Sequence, residues 1–221
     1  MAVEPLLLDI LTAGPKSQKS FKVVNNGAAP LPVEINVSRL EFGHNGEQKT
    51  EPSVNEFLIY PAQAMIPIGG TQVFRVQWIG DLQIDQSRSY RMMVSQLPVK
   101  LPKGQSGIQI VMSFGLTVNV APPQAKGGIV VMGAAPVAKD GKRFASVTVK
   151  NPGNKHTYLR QASIRLSGGS WSADLTPGDI AQKVGLGIIQ PGKERRFVLP
   201  VEVPASVSKI EAAIKITPEP R

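Results

Sequence analysis

A run of alternating apolar residues lies near the middle of the chain, and its spacing suits the chemistry of strand pairing. The apolar members of this run are Ile108, Ile110, Met112, Phe114, Leu116, Val118 and Val120. Residues two apart lie on one face of a β-strand, so the run predicts a strand with one apolar face. At ~3.3 Å per residue such a strand is about 40 Å long, which is roughly twice the usual length. One end is therefore expected to extend beyond its own sheet.

The chemistry of such a strand is non-covalent. An edge that offers Ile108, Ile110 and Met112 to a partner supplies main-chain hydrogen bonds for affinity and alternate side chains for specificity. An exposed apolar edge without a partner is an aggregation hazard. Residues 99–107 are rich in glycine and proline and predict a flexible connection, which favours the edge interpretation. The alternative, a core strand that continues across a bent sheet, stays open at this point.

The sequence contains few residues or motifs that could support covalent catalysis or metal binding. The chain has no cysteine, which excludes disulfides, thiolate zinc sites and cysteine nucleophiles. Its two histidines, His44 and His156, argue against a site with several histidine ligands. Gly185–Gly187 resembles part of a dinucleotide-binding motif but lacks its third glycine. The G-x-S-x-G motif of hydrolase nucleophiles does not occur, and the acidic residues lack the paired spacing of acid–base catalysis. We therefore predict no enzyme activity, no metal and no cofactor.

The composition favours many short elements in a folded chain. The 221 residues include 21 glycines and 19 prolines, and 42% are hydrophobic, which is enough to form cores. No run approaches the ~18 apolar residues of a transmembrane helix, so we predict no membrane insertion. The net charge of +9 could attract nucleic acid, with an affinity that would depend strongly on salt. Because no long basic block occurs, a basic solvated surface is the simpler interpretation, and we predict no nucleic-acid partner.

Short alternating segments indicate β-strands separated by turns. The predicted strands are 32–39, 57–60, 73–78, 90–97, 108–120, 146–150, 158–166 and 197–203. The polar segment 43–56 is predicted to be an exposed loop. Turns are predicted at Asn151–Asn154 and Pro177–Gly178. Residues 205–214 are the best candidate for a helix, although Val207, Ile210 and Ile214 also suit the end of a strand.

A domain boundary is predicted where the composition changes. Residues 121–128 contain two prolines, two glycines and no large apolar side chain. The chain therefore divides into domains at 1–121 and 122–221. Regular short strands in each half predict an all-β protein made of two β-sandwiches.

The first residues contain no secretory signal. Leu6–Leu8 are flanked by Glu4 and Asp9 instead of following a basic segment. We expect either a cytosolic protein or one whose signal peptide was removed.

Several motifs, in this order and spacing, resemble the periplasmic pilus-assembly chaperones of the chaperone–usher pathway. They are Phe21, Val23, Asn25, Pro30, Val33 and Ile35, then Gly69-Gly70 with Val73 and Arg75, then Ser89-Tyr90-Arg91 with Leu97-Pro98, the alternating run that ends at Pro122, and Asn151-Pro152. The resemblance covers nearly the whole chain. The Ser-Tyr-Arg form is more similar to archaic or sigma-type chaperones than to the best-known type.

The resemblance implies two immunoglobulin-like domains in a boomerang arrangement. It also implies a periplasmic protein, its signal peptide removed, that lends a donor strand to pilus or fimbrial subunits and delivers them to an outer-membrane usher. Ile108, Ile110, Met112 and Phe114 are the implied subunit-binding residues. This work is non-covalent and requires no nucleotide or cofactor.

One part of the family pattern is missing. The best-known members hold the terminal carboxylate of the subunit with two basic residues, and the matching positions here are Asp9 and Thr117. Because a carboxylate in a desolvated cleft needs charge-assisted donors, Arg91 is the first replacement candidate and Arg88 the second. A secreted immunoglobulin-like structural or adhesive fibre component is the alternative function.

Overall fold

The computed structural model describes residues 1–52, 55–98 and 111–216. The chain forms two compact units, one comprising Met1–Glu41 with Thr50–Pro123 and the other Phe42–Lys49 with Gln124–Arg221. Each unit has β-sheets around its own apolar core, which confirms the prediction of an all-β protein with two immunoglobulin-like sandwiches. The domain boundary between residues 121 and 122 stays a prediction. No described helix has the length and apolarity that crossing a membrane requires.

Two sheets form the first unit. The strands of the first half of the chain are β1 (Ala2–Glu4), β2 (Leu7–Leu11), β3 (Gln18–Val24), β4 (Leu31–Phe42), β5 (Gln48–Pro52), β6 (Phe57–Tyr60), β7 (Gln63–Ile66), β8 (Thr71–Trp78), β9 (Arg88–Gln96) and β10 (Ser113–Ala121). One sheet has the order β1-β3-β8-β6, and the other has the order β2-β10-β9-β4-β5 with β7 also paired to β4. The chain therefore changes sheets between β1 and β2, so that each covers part of one sheet edge.

Aromatic rings fill much of the core of the first unit. Phe21 and Phe74 stack with their ring centroids 5.2 Å apart. Phe57 meets both Trp78 and Tyr90 edge-on. Because each buried ring removes a large apolar area from water, this cluster stabilises the sandwich that holds β9 and β10.

The second unit contains two three-stranded sheets, a short strand pair and one described α-helix. Its elements are β11 (Val130–Lys139), β12 (Lys142–Lys150), β13 (Thr157–Tyr158), β14 (Ala162–Gly168), β15 (Trp171–Leu175), α1 (Pro177–Lys183), β16 (Ile188–Ile189), β17 (Glu194–Glu202) and β18 (Glu211–Ile216). The sheets have the orders β11-β12-β17 and β15-β14-β18, and β13 pairs with β16. Val147, Leu166 and Leu199 are fully buried in the core of this unit.

Two predicted segments differ from the structure in detail. The predicted loop 43–56 contains β5, whose five residues are all exposed. Because β5 joins the sheet through its backbone and buries no side chain, no apolar pattern marks it. The predicted strand 158–166 is interrupted by a 3-10 turn at Leu159–Gln161, which separates β13 from β14.

Helix α1 begins where the sequence predicted a turn at Pro177–Gly178. The Thr176 hydroxyl accepts a hydrogen bond from the Asp179 N–H at 3.2 Å, and the Asp179 carboxylate accepts one from the Thr176 N–H at 2.9 Å. This reciprocal capping, with proline at the first helical position, starts the helix. The helix candidate at 205–214 is wrong, since those residues form a turn and the beginning of β18.

The same arrangement around a buried asparagine occurs in both units. In each, the side-chain NH₂ donates to the carbonyl oxygen four residues later and to the carbonyl oxygen at the end of a distant short strand. The acceptors are Ala29 at 2.8 Å and Ile66 at 3.1 Å for Asn25, and Lys155 at 2.7 Å and Ile189 at 3.0 Å for Asn151. The amide oxygen accepts from the N–H two residues later in both cases. Each asparagine therefore ties together two turns of its own unit.

Candidate functional site

Strand β10 has neighbours on both sides along only part of its length. It pairs antiparallel with β9 from Ser113 to Val120 and parallel with β2 from Thr117 to Ala121. In the part of the chain that the structure describes, Ser113–Leu116 consequently have a paired strand on one side only. Within the described residues, the other side of that segment is an open strand edge.

The backbone groups of Ser113 and Gly115 point toward this open edge. The Met112 carbonyl oxygen accepts from the Gln96 N–H at 2.9 Å on the β9 side, whereas the Thr117 N–H donates to the Leu6 carbonyl oxygen at 2.9 Å on the β2 side. Successive residues of a strand turn their N–H and C=O groups to alternate sides, so Ser113 and Gly115 face away from β9. Both can hydrogen-bond to an added strand.

Met112 and Phe114 lie on the apolar face of this segment. Met112 is 40% exposed, whereas Phe114 is half-buried and packs against the core of the first unit. The next residue on the same face, Leu116, is fully buried. The apolar face thus changes from exposed to buried along the strand. Outside the described residues lie Ile108, Ile110 and the predicted connection 99–107.

Arg91 lies on the opposite face of the sheet, beside the beginning of the open edge. Its register partner on β10 is Thr117. A Cβ atom built on Gly115 would come within 2.9 Å of both Cδ and Nη1 of Arg91, so the arginine side chain lies directly over this glycine. A larger residue at position 115 would displace the half-buried guanidinium.

Arg88, the second candidate anchor, already has an acidic partner. Its Nη1 lies 3.1 Å from Oε1 of Glu56, which also accepts a hydrogen bond from the Tyr90 hydroxyl at 3.0 Å. Burial, reinforced by the nearby Glu56 charge, raises the pKa of the Tyr90 phenol, so Tyr90 stays a donor. Arg88 lies on the core face of β9 with Tyr90, whereas Arg91 lies on the other face. The structure does not bring the two arginines together.

A polar network crosses β9, β10 and β2 on the same face as Arg91. The Ser89 hydroxyl donates to Oδ1 of Asn119 at 2.7 Å, and Nδ2 of Asn119 lies 3.2 Å from Oδ1 of Asp9. Ser89, Asn119 and Thr117 are buried. Sequence reasoning singled out Asp9 and Thr117 but gave no role to Asn119. The sequence pattern that indicates Asn119 is its position on the polar side of the alternating run, two residues after Thr117.

The described residues offer no metal site. Residues 1–52, 55–98 and 111–216 contain no group of three histidine or acidic side chains that could hold an ion. A cavity of about 560 Å³ lies beside Pro5, Phe21 and Val73, away from β10. The charged groups at its rim, Glu4 and Lys22, pair with each other at 3.2 Å. The edge of β10 therefore remains the candidate site.

Several solved structures are similar to this chain. The class 5 fimbriae chaperone CfaA has a TM-score of 0.59 at 11% identity, over 98% of this chain and 99% of that one. A CsuC–CsuE chaperone–tip adhesion subunit complex of Acinetobacter baumannii has a TM-score of 0.54 at 16% identity, over 90% and 89%. A complex of Salmonella enterica SafA pilin with the SafB chaperone has a TM-score of 0.56 at 12% identity, over 98% and 95%. These likenesses establish the fold.

The family is established by the sequence itself. Residues 7–126, more than half of the chain, match the profile of the pili and flagellar-assembly chaperones, PapD N-terminal domain. No curated protein sequence matches the chain. The matched segment contains β2, β9 and the whole of β10. The chain therefore belongs to the family of pili and flagellar-assembly chaperones, and it is a non-enzymatic pilus-assembly protein with two immunoglobulin-like domains.

Proposed function

We propose that this chain is a periplasmic chaperone that binds pilus or fimbrial subunits through the open edge of β10. The observation that carries the proposal is that, among the described residues, Ser113–Leu116 pair with β9 alone, which leaves backbone donors and acceptors for one more strand. A subunit strand would complete this edge by strand addition. Similar structures contain a chaperone with a tip adhesin or a pilin, which supports a subunit as the partner.

The apolar side chains of the donor segment supply affinity in this proposal. The spacing of Ile108, Ile110, Met112 and Phe114 predicts that they share one strand face. Fully burying one such side chain contributes ~1.5–3 kcal/mol, from which the cost of ordering both strands is subtracted. Met112 and Phe114 are the members among the described residues, and Met112 has the larger exposed area to lose.

Arg91 is the proposed anchor for the terminal carboxylate of the subunit. A guanidinium can donate two parallel hydrogen bonds to a carboxylate. Arg88 ranks second because Glu56, 3.1 Å away, already balances its charge. Neither Asp9 on β2 nor Thr117 on β10 is positively charged. In this proposal the basic anchor on this face of the sheet therefore comes from β9.

Delivery to an outer-membrane usher is the proposed next step. The family relationship supports this step and the periplasmic location. The assignment to the archaic or sigma-type branch stays a prediction. The proposal requires neither nucleotide nor metal, because strand exchange replaces one set of backbone hydrogen bonds with another.

Coexpression with candidate subunits tests the proposal. Met112→Asp places a charge on the donor face, and Met65→Asp is the matched control, since Met65 is 62% exposed on β7 of the same unit. We expect Met112→Asp to lower recovery of a soluble one-to-one complex about tenfold or more, as loss of ~1.4 kcal/mol predicts. Equal recovery with wild type would contradict the β10 edge. A purified chain that polymerised by itself would instead favour the fibre-component alternative.

A further inference from the structure

A shallow trough of about 320 Å³ lies on the outer face of the β11-β12-β17 sheet in the second unit. It is lined mainly by His44, Gly133, Ala135, Ser146, Thr148 and Arg196. The strand register forms this floor, because Gly133 lies opposite Thr148 and Thr148 lies opposite Arg196. The floor side chains are small. A Cβ atom built on Gly133 would meet no atom within 4 Å, so the space above the floor is open.

The segment that carries His44 contacts Arg195 and Arg196 of β17. The Arg196 N–H donates to the His44 carbonyl oxygen at 2.7 Å, which attaches this segment to β17. Arg195, the preceding residue, turns to the buried side and lies between two rings. Its guanidinium carbon is 4.8 Å from the ring centroid of Phe42 and 4.7 Å from that of Phe197. These contacts attach the segment from Phe42 to His44 to β17.

The charge of the trough is positive. Among the described residues, the Arg196 guanidinium has no carboxylate partner. Two nearby acids are engaged elsewhere, since Glu194 lies 3.6 Å from Lys150 and Glu47 accepts hydrogen bonds from Asn45 at 3.1 Å. The second unit contains 16 Lys and Arg against 8 Asp and Glu, whereas the first contains 9 against 8. An anionic group would thus be attracted to this unit as a whole.

We propose that this trough binds the side-chain carboxylate of an acidic peptide segment in a partner protein. The Arg196 guanidinium can form two parallel hydrogen bonds with a planar carboxylate, and the Thr148 hydroxyl can donate a third. The Ser146 hydroxyl already donates to the Ala135 carbonyl oxygen at 2.9 Å and so completes the floor. The volume is near the ~300 Å³ lower limit of ligand pockets, which suits one acidic side chain with its adjoining peptide. This site is separate from β10 and goes beyond strand donation.

NMR titration of the ¹⁵N-labelled full chain tests the proposal. The probe is an acetylated and amidated tetrapeptide, Gly-Glu-Glu-Gly, and its control is the glutamine counterpart. We expect saturable shifts of the Gly133 and Thr148 amide signals with the glutamate peptide only. Arg196→Gln should weaken binding about tenfold or more, the size expected for a charged hydrogen-bonded pair. Arg165→Gln, which removes an exposed charge on β14, should leave the affinity unchanged.

A second variant separates the trough from general electrostatic attraction. Gly133→Leu fills the open space and keeps every charge, so it should abolish the shifts while the protein stays folded. Binding that survives Gly133→Leu would overturn the proposal, as would equal weakening by Arg196→Gln and Arg165→Gln. Equal shifts with the glutamine peptide, or tighter binding of inorganic phosphate than of the glutamate peptide, would overturn the carboxylate assignment.

Discussion

Ser113→Pro changes the open edge of β10 and keeps the backbone hydrogen bonds between β10 and β9. Proline has no N–H, and the Ser113 N–H faces the open side. Proline is tolerated on edge strands when the missing N–H would face solvent. The substitution also removes the exposed contact between the Ser113 and Ser95 hydroxyls, 3.1 Å apart, which contributes little. The free protein should therefore keep its fold.

Ser113→Pro costs binding free energy only when a subunit strand occupies the edge. The partner carbonyl that would accept from Ser113 is then buried without a donor. An unsatisfied buried group of this kind costs ~1–3 kcal/mol, which corresponds to a roughly 5- to 150-fold loss of affinity. Because the proline ring also occupies space where the added strand would lie, the effect should be in the upper part of this range.

Affinity for a purified subunit peptide, measured by calorimetry or fluorescence, is the suitable assay. Ser20→Pro is a matched control, because Ser20 is exposed on β3 beyond the reach of β1, which pairs only with Lys22–Val24. Both variants should melt close to wild type, and only Ser113→Pro should lose binding. Unchanged affinity of Ser113→Pro, or equal losses in the two variants, would refute strand addition at this edge.

Three further predictions concern stability. Tyr90→Phe removes the hydrogen bond to Glu56 and should lower the free energy of unfolding in urea by about 1–2 kcal/mol; an unchanged midpoint would contradict a role for this bond. Thr176→Ala removes the cap of α1 and should cost ~1 kcal/mol, seen as a lower Tm, whereas Thr176→Ser should restore it. Hydrogen bonds from the Thr176 side chain and backbone lower the pKa of Asp179. The contribution of Asp179 to the free energy of unfolding is therefore present above its unfolded-state pKa, and it is lost as the pH falls through its folded-state pKa. The difference in Tm between wild type and Asp179→Asn should therefore vanish in strong acid, and a constant difference would contradict this.

The sequence predicted the strands well where side chains alternate between core and solvent. Val33 on β4 and Leu199 on β17 are fully buried at positions that the period-two pattern placed on the inner face. The pattern failed at β5, whose exposed side chains carry no periodicity. It also missed α1, although Thr176 followed by Pro177 is a recognisable start signal.

The candidate site could be predicted only in part. Alternation identified Met112 and Phe114, and it also suggested that one end of the strand extends past its sheet. It could not identify where β2 stops covering β10, because that depends on pairing Leu7 with Thr117 across more than a hundred residues. The faces of Arg88 and Arg91 follow from strand parity, but the Glu56 partner of Arg88 depends on tertiary packing.

The hydrogen bonds around Asn25 and Asn151 bear on how each unit resists local opening. Each asparagine directly follows an inner strand of its sheet, β3 for Asn25 and β12 for Asn151. Its side chain donates to the carbonyl oxygen four residues later and to that of a short strand that ends 41 residues later in one unit and 38 in the other. A glycine at φ +69° follows that short strand in both units, Gly69 and Gly192. The two units therefore solve the same local problem in the same way, because one buried side chain satisfies main-chain groups of two turns. Since each tie lies wholly within one unit, loss of either side chain should loosen the turns of that unit and leave those of the other in place.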